Sequence, residues 1–229
     1  MQKQIESTKK IVYEVFFKTK NISEKFYAKV NIFFDFLGKW CAKFGISANI
    51  ITLTGLVIGL FALNFIAMQM YMTALLFILL NRFCDGLDGA VARHVKITDF
   101  GIFLDTACDY IFYAALIFGF ALANPQQNAS AAAFLLFAFT TASVTMLAYA
   151  VVAYKKKKTP YVSLSKSPFY LWGFAQGFET FIALVLMCLM PSFFIVIAVF
   201  FGLLSLVKAV GIMINAYYVF EISEKAEQK

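Results

Sequence analysis

Six apolar runs, each about twenty residues or more, constrain this chain before any motif is considered. They fall at about residues 48–68, 71–94, 98–122, 129–154, 168–189 and 192–220. At helical rise each can cross the roughly 30 Å hydrocarbon layer of a bilayer with some tilt. No water is present there to satisfy backbone amides, so such runs fold as helices. With 62% hydrophobic and 14% charged residues in 229, the composition argues against a soluble domain. The expected fold class is all-α, a polytopic membrane protein with six transmembrane helices.

Residues ahead of the first run read differently. From Ser23 to Phe44, Phe26, Tyr27, Val30, Phe33, Phe34, Leu37, Trp40 and Cys41 recur at helical intervals against Lys25, Lys29, Asp35, Lys39 and Lys43. This pattern predicts an amphipathic helix lying in the membrane interface. Three segments follow: a cytoplasmic N-terminal segment with that helix (1–46), a six-helix transmembrane domain bearing the chemistry (47–220), and a cytoplasmic tail (221–229).

Much of the net charge of +7 comes from lysines before the first span, and Lys96, Lys155 to Lys158 and Lys166 fall on the same side. The loops at 68–71, 124–128 and 190–192 carry no Lys or Arg. The basic side is read as the cytoplasm, with both termini on it. The lysines suit anionic lipid, and with no reader motif beside them no nucleic-acid partner is expected. Cys41, Cys84, Cys108 and Cys188 lack metal-ligand spacing and read as packing residues. No pattern of a removed signal peptide opens the chain.

Against this background, the stretch from Asp85 to Asp109 places four carboxylates in span sequence. Acids inside a membrane are costly and mark sites. Asp85 and Asp88 stand three apart, and Asp105 and Asp109 four apart, so on two helices each pair shares a face. Two such faces make a set of hard oxygen ligands suited to Mg²⁺, Mn²⁺ or Ca²⁺. Gly86, Gly89 and Gly101 let another group approach the backbone. Arg93 adds a cationic fork, which together with metal ions suits a phosphate or diphosphate. The helix start near Thr98 and Asp99 could add backbone donors.

The motif Asp85-x-x-Asp88-Gly89-x-x-Ala92-Arg93, seven residues, then Gly101-x-x-x-Asp105-x-x-x-Asp109 resembles the signature of the CDP-alcohol phosphatidyltransferases, integral-membrane enzymes of phospholipid synthesis. The resemblance runs from about Phe44 to Phe220 and is closest to a poorly characterised bacterial inner-membrane branch, which implies a location in the inner (cytoplasmic) membrane. It implies transfer of a substituted phosphate group from a CDP-linked donor to an alcohol, with release of CMP. Asp85, Asp88, Asp105 and Asp109 would then hold Mg²⁺ or Mn²⁺, two ions in all, with Asp109 as the catalytic base. Asp88, Gly89, Ala92, Arg93 and Gly101 would contact the nucleotide or its diphosphate. Asn49 and Thr52 resemble the family's Pro-Asn-x-Ile-Thr opening, with Ala48 in place of the proline; helix capping explains them equally. The resemblance also implies a homodimer, for which Ala114, Ala115 and Ala131 to Ala133 offer close-packing surfaces.

The expected donor is CDP-diacylglycerol and the acceptor a small polar alcohol such as glycerol 3-phosphate, inositol phosphate or serine. A CDP-linked small alcohol with diacylglycerol is the reverse arrangement. A cation transporter or channel is the competing class, but it does not need Arg93 or the glycines at their spacing. Lys166, Glu179 and Lys208 are candidate acceptor contacts. Glu179 and Lys208 lie at similar depth and could instead pair with each other, and Lys166 could simply anchor its helix. Asn215 can equally bond a neighbouring helix or a substrate, and His94, the lone histidine, reads as an interfacial residue.

Overall fold

The computed structural model describes residues 32–155 and 178–222, and all regular elements among them are helical. They are α1 (32–43), α2 (Ala48–Ala67), α3 (Tyr71–His94), α4 (Asp99–Ala123), α5 (Pro125–Lys155), α6 (Phe178–Leu189) and α7 (Phe194–Tyr217). A 3₁₀ turn at Pro191–Phe193 precedes α7 and a π turn at Tyr218–Ile222 follows it. Residues 1–31, Lys156 to Lys158, Lys166 and the first part of the expected fifth span lie outside the described residues.

Helices α2, α4, α5 and the stretch Pro191–Glu221 are long and apolar enough to cross a membrane. Helix α3 has the length, at 24 residues, but carries Arg82, Asp85, Asp88 and Arg93. Helix α6 is apolar and shorter over its described part. The chain is thus an all-helical, polytopic membrane protein.

Two turns show how the chain ends one helix and starts the next. After α1, Gly45 adopts φ 73°, and Ile46 N–H reaches back to Cys41 O at 3.1 Å. This is the left-handed stop that glycine favours. After α2, Gln69 takes the same region at φ 61°, and Met70 N–H bonds Phe65 O at 2.8 Å. Gln69 has a Cβ to strain there, but its side-chain amide donates to Ala123 O at the end of α4, 2.8 Å away. A tertiary bond offsets a local cost. Helix α5 begins four residues earlier than hydropathy suggests. Pro125 occupies its first turn, Gln127 N–H bonds Asn124 Oδ1, and Asn124 Nδ2 bonds Gln127 Oε1. Reciprocal capping with Pro at the start makes the polar stretch helical.

The chain divides into two compact units, residues 1–55 with 81–108, and residues 56–80 with 109–229. In the first, α1 packs on α3 through Gly38, where a Cβ would come 2.8 Å from the Ala90 backbone. Phe34 lies over Gly86 in the same way. Cys41, Ile51 and Val91 form the buried apolar cluster of this unit. Phe33, Phe36, Trp40 and Phe44 point away from the protein and are exposed, beside exposed Lys39 and Lys43. An apolar face, a charged face and a protein face on one helix suit the headgroup boundary.

The second unit holds the large apolar core. Phe120 stacks on Tyr71 and Phe194, with ring centroids at 5.9 and 4.7 Å, and Leu116, Leu135 and Met187 are fully buried around them. Close backbone approach is visible at Gly202, where a Cβ would meet the Phe134 ring at 2.6 Å. Ala131 and Ala132, offered above as dimer contacts, are buried in this core, while Ala133 is exposed.

Candidate functional site

Helical register sets the acids. Asp85 precedes Asp88 by one turn on α3, and Asp105 precedes Asp109 by one turn on α4. Asp88 is only 5% exposed. Thr52 Oγ1 lies 2.5 Å from Asp88 Oδ2 and 3.0 Å from Ala48 O. Its single proton goes to the shorter, charge-assisted contact. An isolated ionised carboxylate could not be buried this deeply without such donors.

Beside Asp88 lies a cavity of about 300 Å³. Asn49 and Thr52 from α2, Asp88, Gly89, Ala92 and Arg93 from α3, and Gly101 and Asp105 from α4 line it. These are the residues associated above with the nucleotide, joined by Asp105, and they include two of the four metal carboxylates, Asp88 and Asp105. Lys96 and Thr98, from the connection between α3 and α4, complete the rim. Two acids and two cations therefore border one space, an arrangement suited to an anion accompanied by a metal.

The glycines in the cavity act differently. A Cβ on Gly101 would meet Thr98 Oγ1 at 3.0 Å and Asn49 Oδ1 at 3.3 Å, so glycine here lets α2 approach the start of α4. A Cβ on Gly89 would meet Arg93 Nη1 at 3.7 Å, an ordinary contact. Gly89 leaves its space to the cavity rather than to a neighbouring helix.

The start of α4 is capped from within. Gly101 N–H donates to Thr98 Oγ1 and Ile102 N–H to Thr98 O, each at 3.0 Å. The Gly101 amide, one of the donors expected to face an anion, is thus engaged by the cap itself.

Among the described residues, no three of His, Cys, Asp and Glu gather closely enough to hold a metal ion. Asp85 does not line the cavity; its Oδ2 lies 3.5 Å from an Arg82 Nη. Asp109 continues the register of Asp105 along α4 and is half-buried. His94 Nε2 sits 2.9 Å from Asp35 Oδ1, tying the end of α3 to α1. Lys208 is buried on α7, with Glu179 of α6 close enough to act on it electrostatically. Asn215 donates to the Tyr149 hydroxyl at 3.3 Å and so bonds a neighbouring helix. Lys166 lies outside the described residues.

Sequence reasoning passed over Asn81 and Arg82. The signal was present, because an arginine three residues before Asp85 shares its helix face.

A family model described as CDP-alcohol phosphatidyltransferase matches residues 45–214. The chain is 47% identical over 162 residues to the inner membrane protein YnjF of Escherichia coli (strain K12), covering 71% of this chain and 79% of that protein. It is 38% identical over 87 residues to an archaetidylinositol phosphate synthase of Pyrococcus horikoshii, covering 38% of this chain and 46% of that one. The matched span contains the cavity and all four acids, and the chain belongs to the CDP-alcohol phosphatidyltransferase family, as a transferase of substituted phosphate groups.

Proposed function

We propose that this protein moves a phosphatidyl group from CDP-diacylglycerol to a small polar alcohol, releasing CMP, and that it uses Mg²⁺ or Mn²⁺. The observation that carries the proposal is the cavity that gathers Asp88, Arg93, Gly101 and Asp105 from two helices beside Thr52 of a third. Asp88 and Asp105 offer hard oxygen ligands from different helices to one space, and Asp85 and Asp109 stand one turn from them in helical register. Hard carboxylate oxygens of this kind suit divalent ions, and two are proposed to bind here. Bound there, they would neutralise the diphosphate and stabilise the CMP leaving group.

The chain's own residues account for the rest. Arg93 and Lys96 bind the diphosphate oxygens, Arg93 as a planar fork and Lys96 as a point charge. Asn49, Gly89 and Ala92 border the room left for the nucleoside. The acceptor oxygen forms a bond to the phosphorus that carries diacylglycerol, and the P–O bond to CMP breaks with its electron pair leaving on CMP. Asp109 takes the alcohol proton. A carboxylate is a weak base for an alcohol, so this transfer comes late, as the new bond forms. Positioning supplies much of the rate.

Lys96 in the α3–α4 connection and the lysine-free loops of the other side support a cavity facing the cytoplasm. A homodimer remains part of the proposal, with Ala133 available to it. Glu179 and Lys208, like Lys166, are proposed to act on the acceptor, and their electrostatic contact equally suits a structural pair inside the bilayer.

The test is purified protein with CDP-diacylglycerol and one alcohol at a time, followed by the mass of the lipid product. The relative named for archaetidylinositol phosphate puts inositol phosphate high in that panel. Acceptor-dependent CMP with the matching lipid supports the proposal. Product only from a CDP-linked small alcohol and diacylglycerol would reverse donor and acceptor.

A further inference from the structure

We propose that the outer face of α1 binds anionic phospholipid headgroups in preference to neutral ones, and that this binding raises turnover by holding α1 against α3. The effect on turnover rests on the transferase reading above; the binding does not. Within α1 the charged residues are Asp35, Lys39 and Lys43. The one acid is engaged by the protein, since Asp35 Oδ1 lies 2.9 Å from His94 Nε2 at the end of α3. Lys39 and Lys43, one turn apart, are both exposed. Beside them Phe36, Trp40 and Phe44 follow at four-residue intervals, 69, 56 and 63% exposed, with the last two ring centroids 4.5 Å apart. More than half of each ring is therefore left for something other than this chain to cover. A row of rings beside a row of lysines matches acyl chains below a layer of phosphates. The rings accept any lipid, and the lysines select the anionic ones.

The inner face of α1 links this surface to the cavity. Gly38 sits against the Ala90 backbone, and the Phe34 ring lies over Gly86 with its centroid 5.4 Å from that of Phe83. With the Asp35 contact to His94, α1 follows α3 from Phe83 to His94. That stretch carries Asp88, Gly89 and Arg93 on the cavity side. Gly86 and Ala90 share one helix face, and Gly89 and Arg93 share another one residue round. Helix α1 thus braces α3 along the turns that form a wall of the cavity. A helix of this length is marginal alone, so what covers its outer rings decides how firmly it stays seated. A ligand that binds the seated helix better than the displaced one shifts the population toward it. Two lysines give an anionic surface an advantage of about tenfold or more over a neutral one.

The test uses the full chain in nanodiscs of phosphatidylcholine, alone or mixed with phosphatidylglycerol. Trp172→Phe leaves Trp40 as the sole tryptophan. Its emission should be quenched more by brominated phosphatidylglycerol than by the same mole fraction of brominated phosphatidylcholine. CMP release should rise about three- to tenfold with the anionic lipid. Lys39→Gln/Lys43→Gln should match wild type in the neutral bilayer and lose both the quenching preference and most of the rise. Lys39→Arg/Lys43→Arg should keep both. Equal quenching by the two lipids, or a full rise in the glutamine pair, would overturn the proposal. Quenching by neither would overturn it in favour of a protein partner on this face. Selective quenching with equal turnover in the two bilayers would overturn the effect on turnover. Selective quenching with no CMP in either bilayer would support the lipid surface and remove the transferase reading, which tells the two failures apart.

Discussion

The two compact units of this chain hold their helices by different means. In the unit of residues 1–55 and 81–108, the described helices meet through polar bonds and glycines: Thr52 to Asp88, Asn81 to the Gly55 carbonyl, Gly38 against Ala90. In the unit of residues 56–80 and 109–229 they meet through stacked rings and buried aliphatic side chains around Phe120. Lipid is as apolar as leucine, so apolar burial alone gives little reason for one helix to prefer another over lipid, and close packing and interhelical hydrogen bonds decide. In the first unit one of these bonds, Thr52 to Asp88, also joins two walls of the cavity. Stability and chemistry are therefore coupled there and separable in the second unit.

Substitutions can break that contrast, and the largest effect should come from the acids. Asp88→Asn should lower CMP formation by a factor of at least about 10³, since charge balance and ligand geometry fail together. Asp109→Asn should be as inactive while its unfolding midpoint in detergent stays near wild type. CMP release by that variant at the normal rate would remove Asp109 from the role of base. Chelating divalent ions from wild-type protein should cost about 10² or more, with recovery on adding Mg²⁺ or Mn²⁺.

A smaller effect sharpens the comparison. Thr52→Val removes the donor to Asp88 without changing size, and losses of about 10- to 100-fold are typical when a partner of a metal ligand is removed. Its midpoint should drop as well, because an interhelical bond is lost. If activity and midpoint moved independently, the coupling argued for this unit would fail. The smallest effect on turnover belongs to the apolar core of the second unit. Leu116→Ala, fully buried among aromatic rings, should cost about 2–5 kcal/mol of stability, measured by denaturation, with turnover per folded molecule unchanged.

Much of this was legible because two periodicities are strong. Apolar runs of bilayer length gave α2, α3 and α4 to within a residue or so of their ends. Helical spacing alone put Asp85 with Asp88 and Asp105 with Asp109 on common faces. What escaped was local chemistry that hydropathy does not weigh. The stretch 124–128 is polar and reads as a loop, yet Asn124, Pro125 and Gln127 together start a helix. The Thr98 hydroxyl closes the start of α4 on the Gly101 amide, which the sequence left open to a ligand. Asn81 bonds the Gly55 carbonyl of α2 and accepts from Arg82, a pairing that hydropathy does not weigh. A side chain's partner on another helix is a tertiary fact, and one sequence does not contain it.

The measurement that tests the central claim most directly is CMP release from CDP-diacylglycerol by purified wild-type protein and Asp88→Asn, each with Mn²⁺ and with chelator, in the presence of the acceptor panel. The account predicts acceptor-dependent CMP from wild type with Mn²⁺ and essentially none in the other three conditions. CMP formed at equal rates by Asp88→Asn, or by wild type in chelator, would contradict it.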